Sequence, residues 1–330
     1  MNKGSGRALS PTSVGLGGYR EVRVGWPRVA VCLAAFNGRA WLQEQLQSIL
    51  QQEGVEVRIY VSVDCSDDGT EAWVSEYCRA EGRVLLLPTG ERFGGAAPNF
   101  FRLLKEVDFS QFEYVSLADQ DDIWYPDKLQ RAISMLEESK ADCYSSNVMA
   151  FWDDGTQRLI DKAQRQRQWD FLFEAAGPGC TYVLRRAVAE EVKKLLHDKR
   201  DLVANIGLHD WFIYAFARTR GYRWMIDARP SMAYRQHALN QVGVNSGWRA
   251  YVSRARKIFG GWGISQARLI ARVIGVDNAG FCRPWRRPGR LGVLWLALNA
   301  FRSRRKGADM VLFTLACLSL CVLGDRSNDQ

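Results

Sequence analysis

From residue 28 onward, short apolar runs alternate with segments whose apolar residues recur at helical spacing. Residues 29–35 and 57–63 are apolar runs of strand length, and a polar turn follows each of them. Between them, residues 41–50 carry apolar side chains at intervals of three and four, which predicts a helix. The same patterns predict further strands at 84–87, 113–118 and 143–151, and further helices at 69–80, 99–107 and 126–138. This alternation predicts an α/β fold with a mainly parallel, Rossmann-like sheet and helices on both faces.

Three of the predicted strands end in polar residues that can meet at one edge of this sheet. Asn37, Asp64 and Asp119 follow the strands at 29–35, 57–63 and 113–118. Ligands of α/β sheets bind at the carboxyl ends of the strands, so one cleft can hold all three side chains.

The tetrapeptide Asp119-Gln-Asp-Asp122 is the strongest chemical signal in the chain. Carboxylates crowded at a strand end repel each other unless a cation or ligand compensates, which favours a divalent metal holding a phosphate-bearing substrate. A polar turn that only precedes a helix is the alternative, because Asp127 after Pro126 can cap that helix alone. The turn from Asp64 to Thr70 has the same two interpretations, helix capping or contact with a nucleotide base and ribose.

The 330-residue chain has a formal net charge of +9, and this excess is concentrated near its C-terminus. Residues 249–306 contain 14 Lys and Arg but one acid, Asp277, whereas residues 1–248 contain 30 Lys and Arg against 32 acids. Such a region suits an anionic membrane surface or a nucleic acid. The cysteines form no Cys-x-x-Cys pair or zinc pattern, so a structural zinc is not expected. Five of them lie in apolar or turn contexts, which is typical of small hydrophobic residues in a reducing cytosol.

The two ends of the chain differ in character. Residues 1–27 are rich in Gly, Ser and Arg without an apolar run, so we expect them to be disordered and not a signal peptide. Residues 291–301 and 310–324 are apolar and flank a basic turn. The longer stretch spans about 22 Å as a helix, short of a hydrocarbon core of about 30 Å. It therefore predicts a helical hairpin in the membrane interface, or else one packed on the protein's own core.

The order of the motifs resembles family-2 glycosyltransferases of the GT-A fold. The resemblance depends on Leu-Ala-Ala-Phe-Asn at 33–37, Asp-Cys-Ser-Asp-Asp-Gly-Thr at 64–70 and Asp-Gln-Asp-Asp-Ile-Trp at 119–124. The last of these is close to the signature of the bacterial rhamnosyltransferase-like branch. The similarity continues through Gly-Pro-Gly-Cys-Thr at 177–181, His-Asp-Trp at 209–211 and Tyr-Arg-Gln-His at 234–237.

The resemblance implies three regions. Residues 1–27 are a disordered segment, 28–245 the glycosyltransferase domain, and 246–330 a basic helical extension close to a membrane. It also implies a donor site in which Phe36, Asn37 and Asp64 contact the nucleotide. Asp119 would lie against ribose and metal, while Asp121 and His237 would hold Mg²⁺ or Mn²⁺ at the diphosphate.

The resemblance further implies that Asp210 is the general base and that Gly177 and Gly179 border the acceptor. For Asp210 the simpler alternative is a helix N-cap. For His237 it is a structural histidine without a ligand. Arg235 can pair with a phosphate oxygen through its planar fork. Trp124 and Trp211 can stack on sugar faces, although large aromatic residues more often belong to a core.

We therefore expect an inverting, metal-dependent glycosyltransferase, since one base and no enzyme nucleophile predict single displacement. The resemblance supports dTDP-rhamnose as donor and a lipid-linked or cell-surface saccharide as acceptor, at the inner face of the cytoplasmic membrane. Only one acid ends the second strand, where the family often has two, and a Gln-x-x-Arg-Trp signature is not matched at 164–169. A polymer-extruding synthase is therefore not expected.

Two alternatives remain from the sequence. A sugar-1-phosphate nucleotidyltransferase uses a similar sheet, but residues 34–38 lack its glycine-rich basic loop. A nucleic-acid-binding protein would explain the basic region at 249–306 but not the acidic cleft, so no nucleic-acid partner is expected.

Overall fold

The computed structural model describes residues 25–237 and 261–323. The predicted disorder of residues 1–24, the predicted boundary at 245 and part of the basic region lie outside the described residues. Seven strands form the main sheet in the order β10-β6-β9-β4-β1-β2-β3, and four form a smaller sheet in the order β5-β11-β7-β8. The strands are β1 Arg28–Ala35, β2 Glu56–Val63, β3 Val84–Leu86, β4 Tyr114–Ala118, β5 Ile123–Trp124, β6 Cys143–Ser146, β7 Val148–Phe151, β8 Gln157–Ile160, β9 Val183–Arg185, β10 Trp224–Asp227 and β11 Met232–Arg235.

Helices cover both faces of the main sheet, as predicted. They are α1 Leu42–Leu50, α2 Thr70–Ala80, α3 Ala96–Glu106, α4 Lys128–Ser139, α5 Arg186–Asp198, α6 Arg200–Val203, α7 His209–Thr219, α8 Trp262–Ile274, α9 Arg290–Leu298, α10 Ala300–Ser303 and α11 Gly307–Leu323. Along β1, Ala30 and Cys32 join one buried core while Val29 and Val31 join the other. Because successive side chains of a strand alternate between faces, an apolar run such as β1 needs cover on both sides.

The main sheet is parallel except at β9, which is antiparallel to both β4 and β6. β1 pairs in parallel with β2 and with β4, which places the carboxyl ends of these three strands at the same edge. The α/β architecture predicted from the sequence is thus confirmed.

The strand predicted at 143–151 is wrong as a single element. The chain breaks at Asn147, so that β6 belongs to the main sheet and β7 to the smaller one. The Asn147 side chain explains the break: its Nδ2 donates to the Ala228 carbonyl at 2.8 Å and to Asp161 Oδ1 at 3.0 Å. Its Oδ1 accepts from the Lys162 backbone N–H at 2.6 Å. These partners are distant in sequence, so local periodicity does not reveal them.

The C-terminal helices are part of the folded domain. Trp285, Val293 and Leu296 are completely buried in the core that α3, α5 and α7 share. Among the described residues, none of the helices is both long enough and apolar enough to cross a membrane, in line with the sequence prediction. The outer surfaces of α9 and α11 nevertheless expose large apolar side chains: Leu291, Leu294, Leu298, Val311, Leu312, Leu315, Leu318 and Val322.

Part of the basic C-terminal region neutralises buried acids and is not a surface patch. Arg305 has a fully buried side chain, with its backbone N–H 2.7 Å and its guanidinium 3.2 Å from the Glu174 carboxylate. It also lies 3.7 Å from Asp170, whose carboxylate is buried as well. The expectation that the whole region faces an external partner is therefore corrected, because a buried charge needs a partner inside the protein.

Candidate active site

The carboxyl ends of β1, β2 and β4 open into a cavity of about 970 Å³. Phe36 and Asn37 follow β1, Asp64 follows β2 and Asp119 follows β4, and all four line this cavity. The structure therefore brings together the residues that the sequence predicted to share a cleft.

Phe36 lines the cavity with 51% of its surface exposed, which is unusual for a large apolar side chain beside a core. Gln120 holds its backbone on both sides. Gln120 Oε1 accepts from the Phe36 N–H at 2.7 Å, and Gln120 Nε2 donates to the Phe36 carbonyl at 2.9 Å. Gly38 permits this approach, because an added Cβ would overlap the Gln120 side chain. Sequence reasoning treated Gln120 only as part of the acidic motif and missed this role.

Asn37 and Asp64 both organise loops at the rim of the cavity. Asn37 has a positive φ of 48°, which Asn tolerates better than most residues, and its Oδ1 accepts from the Asp67 N–H at 3.0 Å. The Asp64 carboxylate accepts from the N–H groups of Phe93 at 2.8 Å and Gly94 at 2.9 Å. Asp64 thereby anchors the loop that places Arg92 in the cavity lining. Sequence reasoning did not identify Arg92.

Asp119, Asp121 and His237 form an acidic group with one imidazole at the cavity wall. His237 Nε2 lies 2.7 Å from Asp121 Oδ2, and its ring stacks on Trp41 with centroids 4.0 Å apart. Burial and the neighbouring Asp121 charge raise the pKa of Asp119 to about 7. Crowding therefore disfavours the ionised form of Asp119 unless a cation compensates it.

The chemistry of this group fits Mg²⁺ or Mn²⁺. Carboxylate oxygens are hard ligands that suit both ions, and imidazole suits transition metals. Among the described residues, the ligand atoms that lie within 4.8 Å of one another come from Asp119, Asp122 and Cys180, whereas those of Asp119, Asp121 and His237 do not come this close together. Asp122 and Cys180 are buried, however, and do not line the cavity. Burial also raises the pKa of the Cys180 thiol well above its usual range, so this soft ligand stays protonated.

Lys128 and Asp122 lie behind the acidic group. Lys128 is completely buried, its Nζ is 3.5 Å from the centroid of the Trp124 ring, and burial lowers its pKa to about 7. Asp122 Oδ1 accepts from the Arg235 N–H at 3.2 Å, which ties the acidic motif to β11. This contact gives Asp122 a structural role.

Two predicted ligand contacts are wrong. Trp124 is only 2% exposed and does not line the cavity, because β5 places it in the core, where the cation above its ring is Lys128. It is not available to stack on a sugar. Arg235 is also absent from the cavity lining. Its Nε donates to the Asp121 carbonyl at 2.9 Å and its guanidinium pairs with Glu44, so it positions Asp121 and does not face a phosphate.

Asp210 lies in the first turn of α7 and lines the cavity. The Trp211 backbone N–H donates to Asp210 Oδ1 at 2.7 Å, which orients the carboxylate. Burial raises the pKa of Asp210 to about 6, so the group is largely ionised at neutral pH and is more basic than an exposed carboxylate. Trp211 also lines the cavity, but its indole N–H donates to the Phe171 carbonyl at 3.0 Å within the core.

Gly177 and Gly179 form part of the cavity wall next to Asp210. An added Cβ on Gly179 would overlap His209 Nε2 and lie 3.2 Å from the Asp210 Cβ, so only glycine permits this close approach. His209 stacks on Phe100 with centroids 3.9 Å apart, and burial lowers its pKa to about 3. It is therefore a neutral packing residue. Lys162 and Arg304 also line the cavity, and sequence reasoning identified neither of them.

Known proteins resemble the chain in sequence and in fold. Residues 30–193 match the family described as glycosyl transferase family 2. The chain is 43% identical to the dTDP-rhamnosyl transferase RfbG of Shigella flexneri over 284 residues, which cover 86% of this chain and 98% of that protein.

Two solved structures share the fold. S. aureus TarS 1–349 in complex with UDP gives a TM-score of 0.52 at 15% identity, covering 88% of this chain and 90% of that one. The mannosyltransferase PcManGT of Pyrobaculum calidifontis, solved with GDP-Man and Mn²⁺, gives a TM-score of 0.50 at 17% identity, covering 93% of this chain and 89% of that one.

Proposed function

This chain belongs to glycosyl transferase family 2 and is therefore a glycosyltransferase, and we propose that it transfers one rhamnosyl group from dTDP-rhamnose to a saccharide hydroxyl. The resemblance that the motifs indicated is thereby confirmed, and family membership argues against a nucleotidyltransferase. The printed activity of the 43% identical relative supports the choice of donor. The reaction would serve assembly of a surface polysaccharide such as an O-antigen, a capsule or an exopolysaccharide.

One observation carries the mechanism: Asp210 shares a single cavity with Asp119, Asp121 and His237. A glycosyltransferase needs a base beside the acceptor hydroxyl and a way to stabilise the leaving diphosphate. Asp210 supplies the base, because its carboxylate is oriented by the Trp211 N–H and made more basic by burial.

In the donor half, Phe36 stacks on the nucleotide base and Asp64 lies beside it. Asp119, Asp121 and His237 would hold Mg²⁺ or Mn²⁺, and a bound divalent ion would supply positive charge for the leaving nucleoside diphosphate. Arg235 and Gln120 act indirectly, since they fix the backbones of Asp121 and Phe36.

In the acceptor half, Gly177 and Gly179 leave room for a saccharide next to Asp210. The acceptor hydroxyl loses its proton to Asp210 as its oxygen attacks the anomeric carbon, and the bond to the nucleoside diphosphate breaks. With one base and no enzyme nucleophile in this proposal, the displacement is single and inverts the anomeric configuration.

Release of dTDP from dTDP-rhamnose, with and without Mn²⁺ or Mg²⁺, tests this proposal directly. We expect Asp121→Asn to lose metal-dependent turnover. Asp210→Asn should retain dTDP binding but lose about 10²- to 10⁴-fold in transfer rate, the usual contribution of a general base. Asp153→Asn is the matched control, because Asp153 is an exposed acid outside the cavity.

Each result has a counterpart that would contradict the proposal. Turnover of a different nucleotide sugar with none of dTDP-rhamnose would refute the donor. Unimpaired metal dependence in Asp121→Asn would refute the metal ligand. A product whose anomeric configuration, measured by NMR, matches that of the donor would refute single displacement.

We also propose that the exposed apolar surface of α9 and α11 rests on the inner face of the cytoplasmic membrane, where a lipid-linked acceptor would be found. Leu298 is 68% and Leu315 is 55% exposed, and both belong to this surface. Exposed arginines before α9 and at its first residue supply positive charge at its edge: Arg283, Arg286, Arg287 and Arg290. An apolar surface edged with arginine suits an anionic bilayer.

Co-flotation with vesicles tests the membrane contact. The wild-type protein should float with phosphatidylglycerol-containing vesicles, and Leu298→Asn with Leu315→Asn should reduce the bound fraction. Leu85→Asn is the control, because Leu85 is an exposed apolar residue on β3, remote from these helices in sequence. Equal flotation of all variants would contradict the proposed surface.

A further inference from the structure

Two cationic side chains, Lys162 and Arg304, line the same cavity as Asp210. We propose that these two residues bind a phosphate or diphosphate group carried by the acceptor. The inference rests on the proposed function and adds to it an acceptor of anionic character.

Lys162 is held in place by its backbone, while its side chain lines the cavity. Asn147 Oδ1 accepts from the N–H groups of Lys162 at 2.6 Å and Ala163 at 3.1 Å. Within the described part of the chain, the Lys162 ammonium has no hydrogen bond and no carboxylate within 4.0 Å. Burial lowers the pKa of this ammonium, which means that burial disfavours its charged form. An anionic ligand would offset that desolvation penalty.

Arg304 reaches the cavity from the connection between α10 and α11. One end of its guanidinium donates to the Phe173 carbonyl at 2.6 Å, which fixes its orientation. Its nearest carboxylates lie at 3.6 Å in Asp309 and at 3.9 Å in Glu174, both beyond hydrogen-bond distance. Its buried Nε has no hydrogen-bond partner among the described residues. The guanidinium therefore retains capacity to bind an anion.

The acid closest to this pair is already compensated. Glu174 lines the same wall, but its carboxylate accepts from the Arg305 backbone N–H at 2.7 Å and from its guanidinium at 3.2 Å. Since Arg305 balances Glu174 and Asp309 lies 3.6 Å from Arg304, the Lys162 ammonium is the charge at this end of the cavity that has no carboxylate within 4.0 Å among the described residues.

Different elements carry this pair and the donor-side residues. Phe36, Asp64 and Asp119 follow β1, β2 and β4, whereas Lys162 follows β8 and Arg304 lies between α10 and α11. All of them line the same cavity as Asp210. An acceptor hydroxyl at Asp210 would leave an anionic group of the same acceptor within reach of that pair.

The position of Arg304 also suits an amphiphilic acceptor. It lies three residues before the start of α11, whose outer surface exposes apolar side chains such as Leu315. A saccharide linked through a diphosphate to a lipid could place its sugar at Asp210, its phosphates at the cationic pair and its lipid along that surface.

Two variants test the site, Lys162→Met and Arg304→Gln, with Lys306→Met as the matched control. Lys306 belongs to the same segment but does not line the cavity, and its Nζ is 3.9 Å from Asp161. The assay compares one saccharide acceptor presented as a lipid diphosphate and as a neutral alkyl glycoside. We expect each test variant to raise the KM for the diphosphate acceptor about tenfold or more, as charged hydrogen bonds would require. The KM for the neutral acceptor and for the donor should not change.

A direct binding measurement makes the test independent of turnover. Inorganic diphosphate is titrated calorimetrically into protein saturated with Mn²⁺ and dTDP, which occupies the donor half. Binding to wild type and Lys306→Met, and loss in Lys162→Met, would support the site. Lys162→Arg should restore binding, and thermal unfolding shows whether each variant is folded.

The outcomes separate this inference from the proposed function. A higher KM for the donor in the test variants would show that the pair holds the donor diphosphate and would overturn the inference. Equal KM values for both acceptors, or diphosphate binding that survives both substitutions, would overturn it as well. Failure of the wild type to use dTDP-rhamnose, with diphosphate binding intact, would count against the proposed donor alone.

Discussion

Substitution of Gly38 by Ala should weaken nucleotide binding without changing any residue that touches the nucleotide. Gly38 is not among the glycines with positive φ, so alanine is compatible with its backbone. Its added Cβ would overlap Gln120 Oε1 and lie 2.6 Å from the Gln120 Cδ. Because Gln120 is a flexible side chain, it would move away and the protein would still fold. The movement breaks both hydrogen bonds that hold the Phe36 backbone.

The size of the effect follows from those two hydrogen bonds. They measure 2.7 and 2.9 Å, and bonds of this kind contribute about 0.5–1.5 kcal/mol each. Loss of both would release about 1–3 kcal/mol of the free energy that holds Phe36 in position. If the nucleotide must bring Phe36 back into position when it binds, the Kd for dTDP rises about 5- to 150-fold.

A double-mutant cycle measured by titration calorimetry with dTDP and Mn²⁺ provides the test. Gly38→Ala and Gln120→Ala should each weaken binding by the same factor, and the double variant should be no weaker than Gln120→Ala. Gly82→Ala is the control, since an added Cβ there meets nothing within 4 Å. A Kd within twofold of wild type in Gly38→Ala, or additive effects in the cycle, would refute the reasoning.

Three further predictions concern buried charges. Since burial raises the pKa of Asp210 to about 6 and a base must be ionised, kcat/KM should fall about tenfold from pH 7 to pH 5; a flat profile would exclude Asp210 as the base. The folded pKa of Lys128, about 7, lies below its usual 10.5, so the unfolded chain binds more protons above pH 7 and stability should rise with pH. Between pH 7 and pH 9, the free energy of unfolding measured with denaturant should increase by about 2 kcal/mol more in wild type than in Lys128→Met. Equal increases in the two proteins would contradict this burial effect. Arg305→Met removes the cation nearest to the buried Glu174 carboxylate and one of the two that pair with Asp170, where Arg218 remains 3.2 Å away, so the free energy of unfolding should fall by about 3–5 kcal/mol, and an unchanged midpoint would show that the pairs contribute nothing.

The parts of the fold that the sequence predicted are those that local patterns determine. β1 and β4 are apolar runs buried on both faces, β2 is fully buried on one face only, and each strand is followed by a polar residue at the sheet edge. The convergence of Phe36, Asp64 and Asp119 follows from parallel pairing alone. Asp210 was placed by the motif order, and the structure brings it into the same cavity.

The parts that the sequence did not reveal depend on partners far apart in the chain. The hydrogen bonds of Gln120 to Phe36 connect residues 84 positions apart, and those of Arg305 to Glu174 connect residues 131 apart. Trp124 illustrates the same limit. Its neighbours in the motif suggested a ligand contact, but the smaller sheet, formed by four short strands, determines that it is buried.

The C-terminal helices combine a buried structural surface with the exposed surface that we propose contacts a membrane, and a truncation cannot separate the two. Val293 and Leu296 on α9 are buried in the core of the domain, whereas Leu298 and Leu315 are exposed on the outer surface. Deletion from α9 onward would uncover that core and would also remove Arg305 from its buried acids. Loss of membrane binding in such a protein would then report unfolding as readily as a lost contact. Substitutions confined to Leu298 and Leu315 alter only the outer surface, so a change in flotation with unchanged thermal unfolding isolates the membrane contact.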